Sequence, residues 1–323
     1  MQLVKRLLNT FNGLHFTQEY LCFGKETFTN TVNVYLANDK TIISNITGSH
    51  LFVGYCPLVF ALPSFPNLQP AETIAVIFSH QLLQPNEVFL QKDAIAAINL
   101  KLIKEQATEN AAVLYYEGTH GWHRFLSKFH QKVNDIHNNW YNKKPGNVFL
   151  HNNLYKQVQI AYAVPRNIGL IIVGGNSELN LFPTDLHGQI DEQHYIISLR
   201  SGGKANEQVV NSGQIVISQM AADAYKMVYT LGKNHMQPLK PKAAFPFSNM
   251  LSATFKLPIP QQTIASKELQ LLTSFSAGIH HIMLFKIVAQ HQIQKEKNTL
   301  AHIHNTYATW RYKNKLTGNY LLR

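Results

Sequence analysis

The chain is poor in the features that most quickly assign a protein to a class. Its 323 residues include two cysteines, Cys22 and Cys56. That excludes a disulfide scaffold and a cysteine-rich metal cage, and both are expected to be small core thiols. Acidic residues are scarce, 18 against 29 Lys and Arg, leaving a formal net charge of +11. No apolar run approaches the roughly 20 residues that cross a bilayer; Ile168–Val173 is typical of the longest. The opening Met1-Gln-Leu-Val-Lys-Arg-Leu-Leu sets its basic pair inside a short apolar stretch and has no small-residue cleavage site, unlike a secretory signal. These absences predict a soluble, cytoplasmic chain with no membrane partner.

Catalytic signatures are missing as well. There is no Gly-x-Gly-x-x-Gly, no Gly-x-Ser-x-Gly elbow and no His-Glu-x-x-His, which removes support for Rossmann, serine-hydrolase and zincin readings. Ser201-Gly-Gly-Lys204 has a superficial likeness to a nucleotide-binding P-loop. Ser198 stands where its first glycine should be, and Ala205 where the Mg²⁺-binding hydroxyl should be. Histidine is plentiful, at 16. His123, His130 and His137 recur every seventh residue, about 10 Å apart on a helix and too far to share one ion. They are expected along the solvated flank of a helix. His120 with His123, and His302 with His304, lack carboxylate or cysteine companions at ligand spacing, so no metal site is expected.

What the chain does contain is short β-type runs punctuated by Asn, Gly, Pro and Asp. Thr31–Ala37, Leu58–Leu62, Thr73–Phe78 and Ile95–Ile103 read as strands, the last with Ile98, Leu100 and Leu102 on one face. Phe125, Phe129, Val133, Ile136 and Trp140 step by three or four and predict an amphipathic helix. A polar linker over Asn138–Asn147 suggests two domains, 1–146 and 147–323. The second half repeats the pattern of the first. Val32–Ala37 matches Ile168–Val173, Leu58–Leu62 matches Tyr195–Leu199, and Ile74–Ser79 matches Gln214–Ser218. The late aromatic runs Val113–Gly118 and Thr309–Tyr312 complete the correspondence, with Leu154–Pro165 leading into the second copy and Ala221–Ser274 an insertion within it. Many short strands and few helices, used twice, predict a mainly β chain of paired small barrels.

Charge singles out the second half, which carries 17 Lys and Arg against 8 acids; the first carries 12 against 10. An anion is expected there. Arg200-Ser-Gly-Gly-Lys204 follows a predicted strand and precedes a predicted helix. Its glycines allow close backbone approach, and its two cations and the helix start would favour a phosphate. His280-His281 follows Gly278 at another strand start, where a side chain can face a cleft. The basic tail from Lys286 interleaves with Tyr307, Trp310, Tyr312 and Tyr320. It reads as a closing strand with rings inward, although stacking on nucleic-acid bases is the alternative use of such a pattern.

Taken in order, these segments resemble the flavin reductase-like, FMN-binding split-barrel family over Leu154–Leu321. The resemblance rests on a strand around Pro165, Leu170–Val173, Asn180-Leu-Phe-Pro183-Thr184-Asp185, Tyr195–Arg200 with its Gly/Lys turn, Val209–Ile217, Gly278-Ile-His280-His281 and Trp310…Tyr320. The sequence departs from the family pattern at Ala205, Gln208 and Ile279. In the first half, Tyr55-Cys-Pro57 and Leu114–Gly118 look like family landmarks, but no Arg or Lys occurs between Leu62 and Gln91, where a phosphate turn belongs. The resemblance implies two tandem split β-barrels, the first a degenerate copy. It also implies FMN as cofactor, NAD(P)H as co-substrate, and a site completed by a homodimer or by the two barrels of one chain. Asn180, Pro183, Thr184 and Asp185 would hold the ring, Arg200, Ser201 and Lys204 the phosphate, and His281 would add a contact. His280 would border the reacting ring as the catalytic residue. A flavin carrier or sensor without turnover, and a basic β-barrel that binds nucleic acid, are the competing readings.

Overall fold

A computed structural model describes residues 9–64, 73–109, 112–141, 148–175, 177–295, 298–316, 318 and 320–321. The proposed boundary at 146/147 lies outside them. The chain forms two compact units that share its ends. Unit 1 comprises Met1–Leu21, Thr29–Pro165 and Ile303–Gly318; unit 2 comprises Cys22–Phe28, Arg166–His302 and Asn319–Arg323.

Unit 1 is built on seven antiparallel strands: β1 (Asn33–Asn38), β2 (Thr41–Asn45), β3 (Leu51–Tyr55), β4 (Leu58–Pro63), β5 (Thr73–Ser79), β6 (Ala96–Ala107) and β7 (Ala112–His123). Their order in the sheet is β2-β1-β5-β6-β7-β4-β3. Unit 2 has β8 (Gly169–Gly174), β9 (Glu178–Thr184), β10 (His187–Gln189), β11 (His194–Arg200), β12 (Gln214–Met220), β13 (Thr263–Ala277) and β14 (His280–Gln292). Its order is β10-β11-β14-β13-β12-β8-β9, with Lys240–Pro241 added beside β9. Raising each unit 1 label by seven gives the same neighbours throughout. The internal repeat expected from the sequence is therefore present strand for strand, and the chain is mainly β. One correspondence changes: the partner of Val113–Gly118 is β14, not Thr309–Tyr312.

In each unit one stretch of chain joins both edges of the strand order. Residues 178–184 pair with β8, and after two residues 187–189 pair with β11. Likewise β2 pairs with β1 and β3 with β4. Alternation along the unit 2 strands then makes two cores. Ile171, Ile197, Leu199, Ile215, Ile217, Leu269, Met283 and Phe285 pack on one face. They are joined there by Ala205 and Val209 of helix α3 (Lys204–Ser212), numbered after α1 (Lys128–Tyr141) and α2 (Leu154–Ala161). On the other face Leu170, Ile172, Leu179, Leu181 and Val216 are covered by Val228, Leu231, Phe245, Leu257 and Ile259. Those five come from the insertion, which carries the short helix α4 (Tyr225–Thr230) and ends at residue 262, because Thr263–Ser274, expected within it, belongs to β13, the counterpart of β6. Buried Glu268 anchors it by accepting bonds from Ser252 Oγ at 3.0 Å, Thr254 N at 2.8 Å and Phe255 N at 2.5 Å. Burial opposes the charge on Glu268, but these donors outweigh it and hold the carboxyl below its ordinary range.

Three expectations are corrected. Leu154–Ala161 is helix α2 rather than a strand lead-in: Leu154, Lys156, Gln157, Gln159 and Ala161 are good helix formers, Gln157 donates to Asn153 Oδ1 one turn back at 3.1 Å, and Gln159 Oε1 lies 3.1 Å from His123 Nε2. Thr309–Tyr312 lies in helix α5 (Asn305–Lys313), which His304 caps by accepting from Thr306 N. Arg311 on α5 is fully buried and donates to the carbonyls of Thr29 and Asn30 at 2.6 and 2.7 Å, while Lys286, Lys313, Lys315 and the ring of Tyr312, expected inward, are exposed. Finally, α1 forms where its period predicts but turns its polar side inward. Asn134 and Asn138 are buried and donate to the carbonyls of Asn12 and Leu150, while Phe129, Ile136 and Trp140 are exposed. His123 is not on that helix flank; it ends β7, buried against Gln159. Among the described residues no helix is long and apolar enough to cross a membrane.

Two glycines test the unit 2 turn geometry. Gly213 closes α3 at φ +62°, where an added methyl would meet only the flexible end of Gln270 at 3.6 Å. Gly174 ends β8 at φ +127°, and a methyl there would lie 2.6 Å from Glu178 O. Gly213→Ala should cost about 1 kcal/mol. Gly174→Ala should cost about 3 kcal/mol or more, since backbone must move as well. Chemical denaturation of the two variants measures the ordering, and equal losses would contradict it.

Candidate functional site

Two of the segments singled out by sequence meet at the start of α3, and a third, Pro183-Thr184-Asp185, passes beside them. Arg200 ends β11 directly opposite His280, which opens β14. The next residue, Ser201, donates its N–H to Ile279 O at 3.0 Å, so the Gly/Lys turn is tied to the Gly278–His281 start. The turn closes with Gly203 N donating to Arg200 O at 3.0 Å, and α3 begins at Lys204. His281 Nδ1 lies 3.0 Å from Asn206 Oδ1, which fastens β14 to the first turn of α3. Pro183-Thr184-Asp185 leads from β9 toward β10, and Ser198 N donates to Leu186 O just beyond it.

The electrostatics follow from burial. His280 is 1% exposed, its Nδ1 is 3.1 Å from Ser198 Oγ, and its pKa is lowered to about 4. Desolvation is the main cause; the Arg200 cation adds to it and Asp185 opposes it. His280 is therefore a neutral imidazole at physiological pH. Arg200, Ser201 and Lys204 are exposed. Lys204 Nζ is 3.1 Å from Glu207 Oε2, an exposed pair that holds it only loosely. Ala205 belongs to the inner core, so a buried apolar contact takes the place of a hydroxyl at that position.

The residues from Asn180 to Asp185 are more heavily engaged. Asn180 is fully buried; its amide donates to Gln208 Oε1 at 2.8 Å and Asn234 O at 3.0 Å, and its Oδ1 accepts from Leu181 N. The Pro183 carbonyl accepts from His235 Nε2 at 2.7 Å. Thr184 is buried and paired with Gly169 in the β8–β9 ladder. Asp185 Oδ2 is 2.6 Å from His302 Nε2. The insertion thus reaches the site through Asn234 and His235, with Gln208 donating to Gln237 O at 2.9 Å. A methyl placed on Gly203 would come within 3.5 Å of His235 O. Sequence reading missed His235 and His302. The first sits inside an insertion with no counterpart in the other half, and the second was weighed only as a metal ligand. No group of three or more His, Cys, Asp or Glu suited to a metal occurs among the described residues.

No family model and no curated protein matches this chain. Solved structures do. An FMN-binding protein from Thermus thermophilus is 19% identical with a TM-score of 0.36, covering 40% of this chain and 72% of that one. An NADH:FAD oxidoreductase from Streptomyces globisporus is 12% identical with a TM-score of 0.41, covering 47% and 89%. The flavin reductase component of a bacterial tryptophan halogenase is 16% identical with a TM-score of 0.40, covering 47% and 94%. The likeness is to the path of the backbone over about half of this chain.

His123 in unit 1 and His187 and His280 in unit 2 all have pKa values lowered to about 4, chiefly by burial. Unfolded, they would take up protons near 6.5. Their stabilising contribution is complete above about pH 6.5 and is lost as pH falls toward 4. Urea midpoints measured from pH 7.5 to 4 should fall over that window, by at most about 1.4 kcal/mol per pH unit for each histidine. His280→Gln should flatten the unit 2 share; a midpoint that rises on acidification would contradict this assignment.

Proposed function

We propose that unit 2 binds flavin mononucleotide and acts as an oxidoreductase of the flavin reductase type, with NAD(P)H as electron donor. The observation that carries the reading is the meeting of Arg200–Lys204 and His280–His281 at the start of α3, from parts of the chain about 80 residues apart, with Asp185 close enough to act on the His280 charge. The residues fit the phosphate end of the ligand. Arg200 and Lys204 provide charge, Ser201 a hydroxyl, and the first turn of α3 leaves the orphan N–H groups that any helix start presents. Neutral His280 would border the ring without adding a cation. At the ring end, Asn180 acts through position: it holds α3 and the insertion in register with β9. When bound, the flavin supplies the redox chemistry, and the chain's share is capture and orientation.

The test is the protein as purified. It should absorb blue light and release FMN on denaturation. Arg200→Ala should lower flavin occupancy by about tenfold, as expected for loss of a charge-assisted contact. Lys204→Ala should act more weakly, because Glu207 already competes for that ammonium. Oxidation of NADH or NADPH with added FMN measures turnover. Full flavin occupancy in the Arg200 variant would place the phosphate elsewhere, and a colourless protein that FMN cannot titrate would overturn the reading.

A further inference from the structure

At the opposite end of the unit 2 strands from α3, the inner core stops short of the sheet's rim and leaves a cavity of about 480 Å³. The strands themselves fix its position. Ile217 and Gln219 of β12, Ala265 and Lys267 of β13, and Gln290 and Gln292 of β14 are ladder neighbours there. β14 runs ten residues from His280 to Gln290, about 33 Å at strand rise, so the Lys267–Gln290 wall lies far from the cationic turn, while the His187 wall is two residues from Asp185. Its floor is apolar, with Ile217 belonging to the inner core. Its walls are polar, and no carboxylate lines it.

Three of its polar groups have defined hydrogen-bonding states. His187 Nε2 lies 3.1 Å from the backbone carbonyl of Asn167, which can only accept, so this nitrogen carries the proton. Nδ1 must then accept, and the Tyr195 hydroxyl, 2.6 Å away, donates to it. That leaves the Tyr195 oxygen facing the cavity as an acceptor. Asn167 Oδ1 is buried and makes no hydrogen bond among the described residues, a second acceptor whose desolvation is uncompensated. Opposite them, Lys267 Nζ donates to Gln290 Oε1 at 2.6 Å, which leaves it two further N–H donors. Burial pushes the Lys267 pKa down.

We propose that this cavity is a second ligand site, for a small organic monoanion that also carries an N–H or O–H donor. The anionic group would pair with Lys267 and the donor edge would face Tyr195 Oη and Asn167 Oδ1. The size is that of a typical small-molecule pocket. The site does not depend on flavin binding at the Arg200–Lys204 turn.

Calorimetric or NMR titration with three probes tests it: 4-aminobenzoate, which has both features, benzamide, which lacks the charge, and benzylamine, which reverses it. The expected order is 4-aminobenzoate first, with benzamide about tenfold weaker and benzylamine not saturating. Lys267→Met should weaken 4-aminobenzoate about tenfold and bring it level with benzamide, while Tyr195→Phe should weaken both severalfold. Arg200→Ala, which addresses the other end of the strands, should leave 4-aminobenzoate affinity as it is. Thermal melting confirms that each variant is folded. Equal affinities for anion and amide, an unaffected Lys267→Met variant, or no saturation by 4-aminobenzoate at millimolar concentration would each overturn the assignment.

Discussion

Unit 2 depends on one stretch of backbone serving two strands in turn. Residues 178–184 give their hydrogen bonds to β8, and residues 187–189 give theirs to β11. Because a strand's faces alternate, this hand-over fixes which side chains look inward along every strand between the two edges. It also puts Asp185 and Leu186 at the point of transfer, beside the last residues of β11. The meeting of Arg200, His280 and Asp185 follows from that register; no loop has to be closed over the site to make it.

Around that register the polar groups divide by their commitments. At the Gly/Lys turn, Arg200, Ser201 and Lys204 are exposed, and Lys204 pairs with the exposed carboxylate of Glu207. Along β9 and just beyond it, Asn180, Pro183 and Asp185 are bonded to Gln208, His235 and His302. The basic turn is thus exposed and the β9 side already braced. The insertion does that bracing. It has no counterpart in unit 1, which also lacks a basic turn after β4. Two sheets of identical strand order thus carry different surfaces.

Much of this was legible in the amino-acid sequence, because strand order leaves a local trace. Apolar runs ending at Asn38, Pro63 and Gly174 marked β1, β4 and β8, runs ending at polar residues marked β5, β11 and β12, and their matched spacing exposed the repeat. Two of the misreadings share a cause: tertiary partners overrode local preference. The third, Leu154–Ala161, ran against local preference itself, since Leu154, Lys156, Gln157, Gln159 and Ala161 all favour a helix. The aromatic run of α5 looks like a closing strand until His304 caps it and Arg311 is satisfied by two carbonyls about 280 residues earlier. In α1 the apolar period was right and its direction was not, since Asn134 and Asn138 had better partners than Phe129 or Trp140. The cavity beyond Ile217 left no trace at all, because it is made of the ends of separate strands.

The way the chain deals its ends between the units has a consequence for synthesis. Unit 1 uses α5: Arg311 bonds Thr29 and Asn30, Thr309 accepts from His15 N, and Lys313 donates to Gly13 O. A ribosome that has delivered the first 165 residues has therefore made a sheet whose last helix is still unwritten, with nearly 140 residues to follow. The earlier-made unit must wait, incomplete, through translation of the later one.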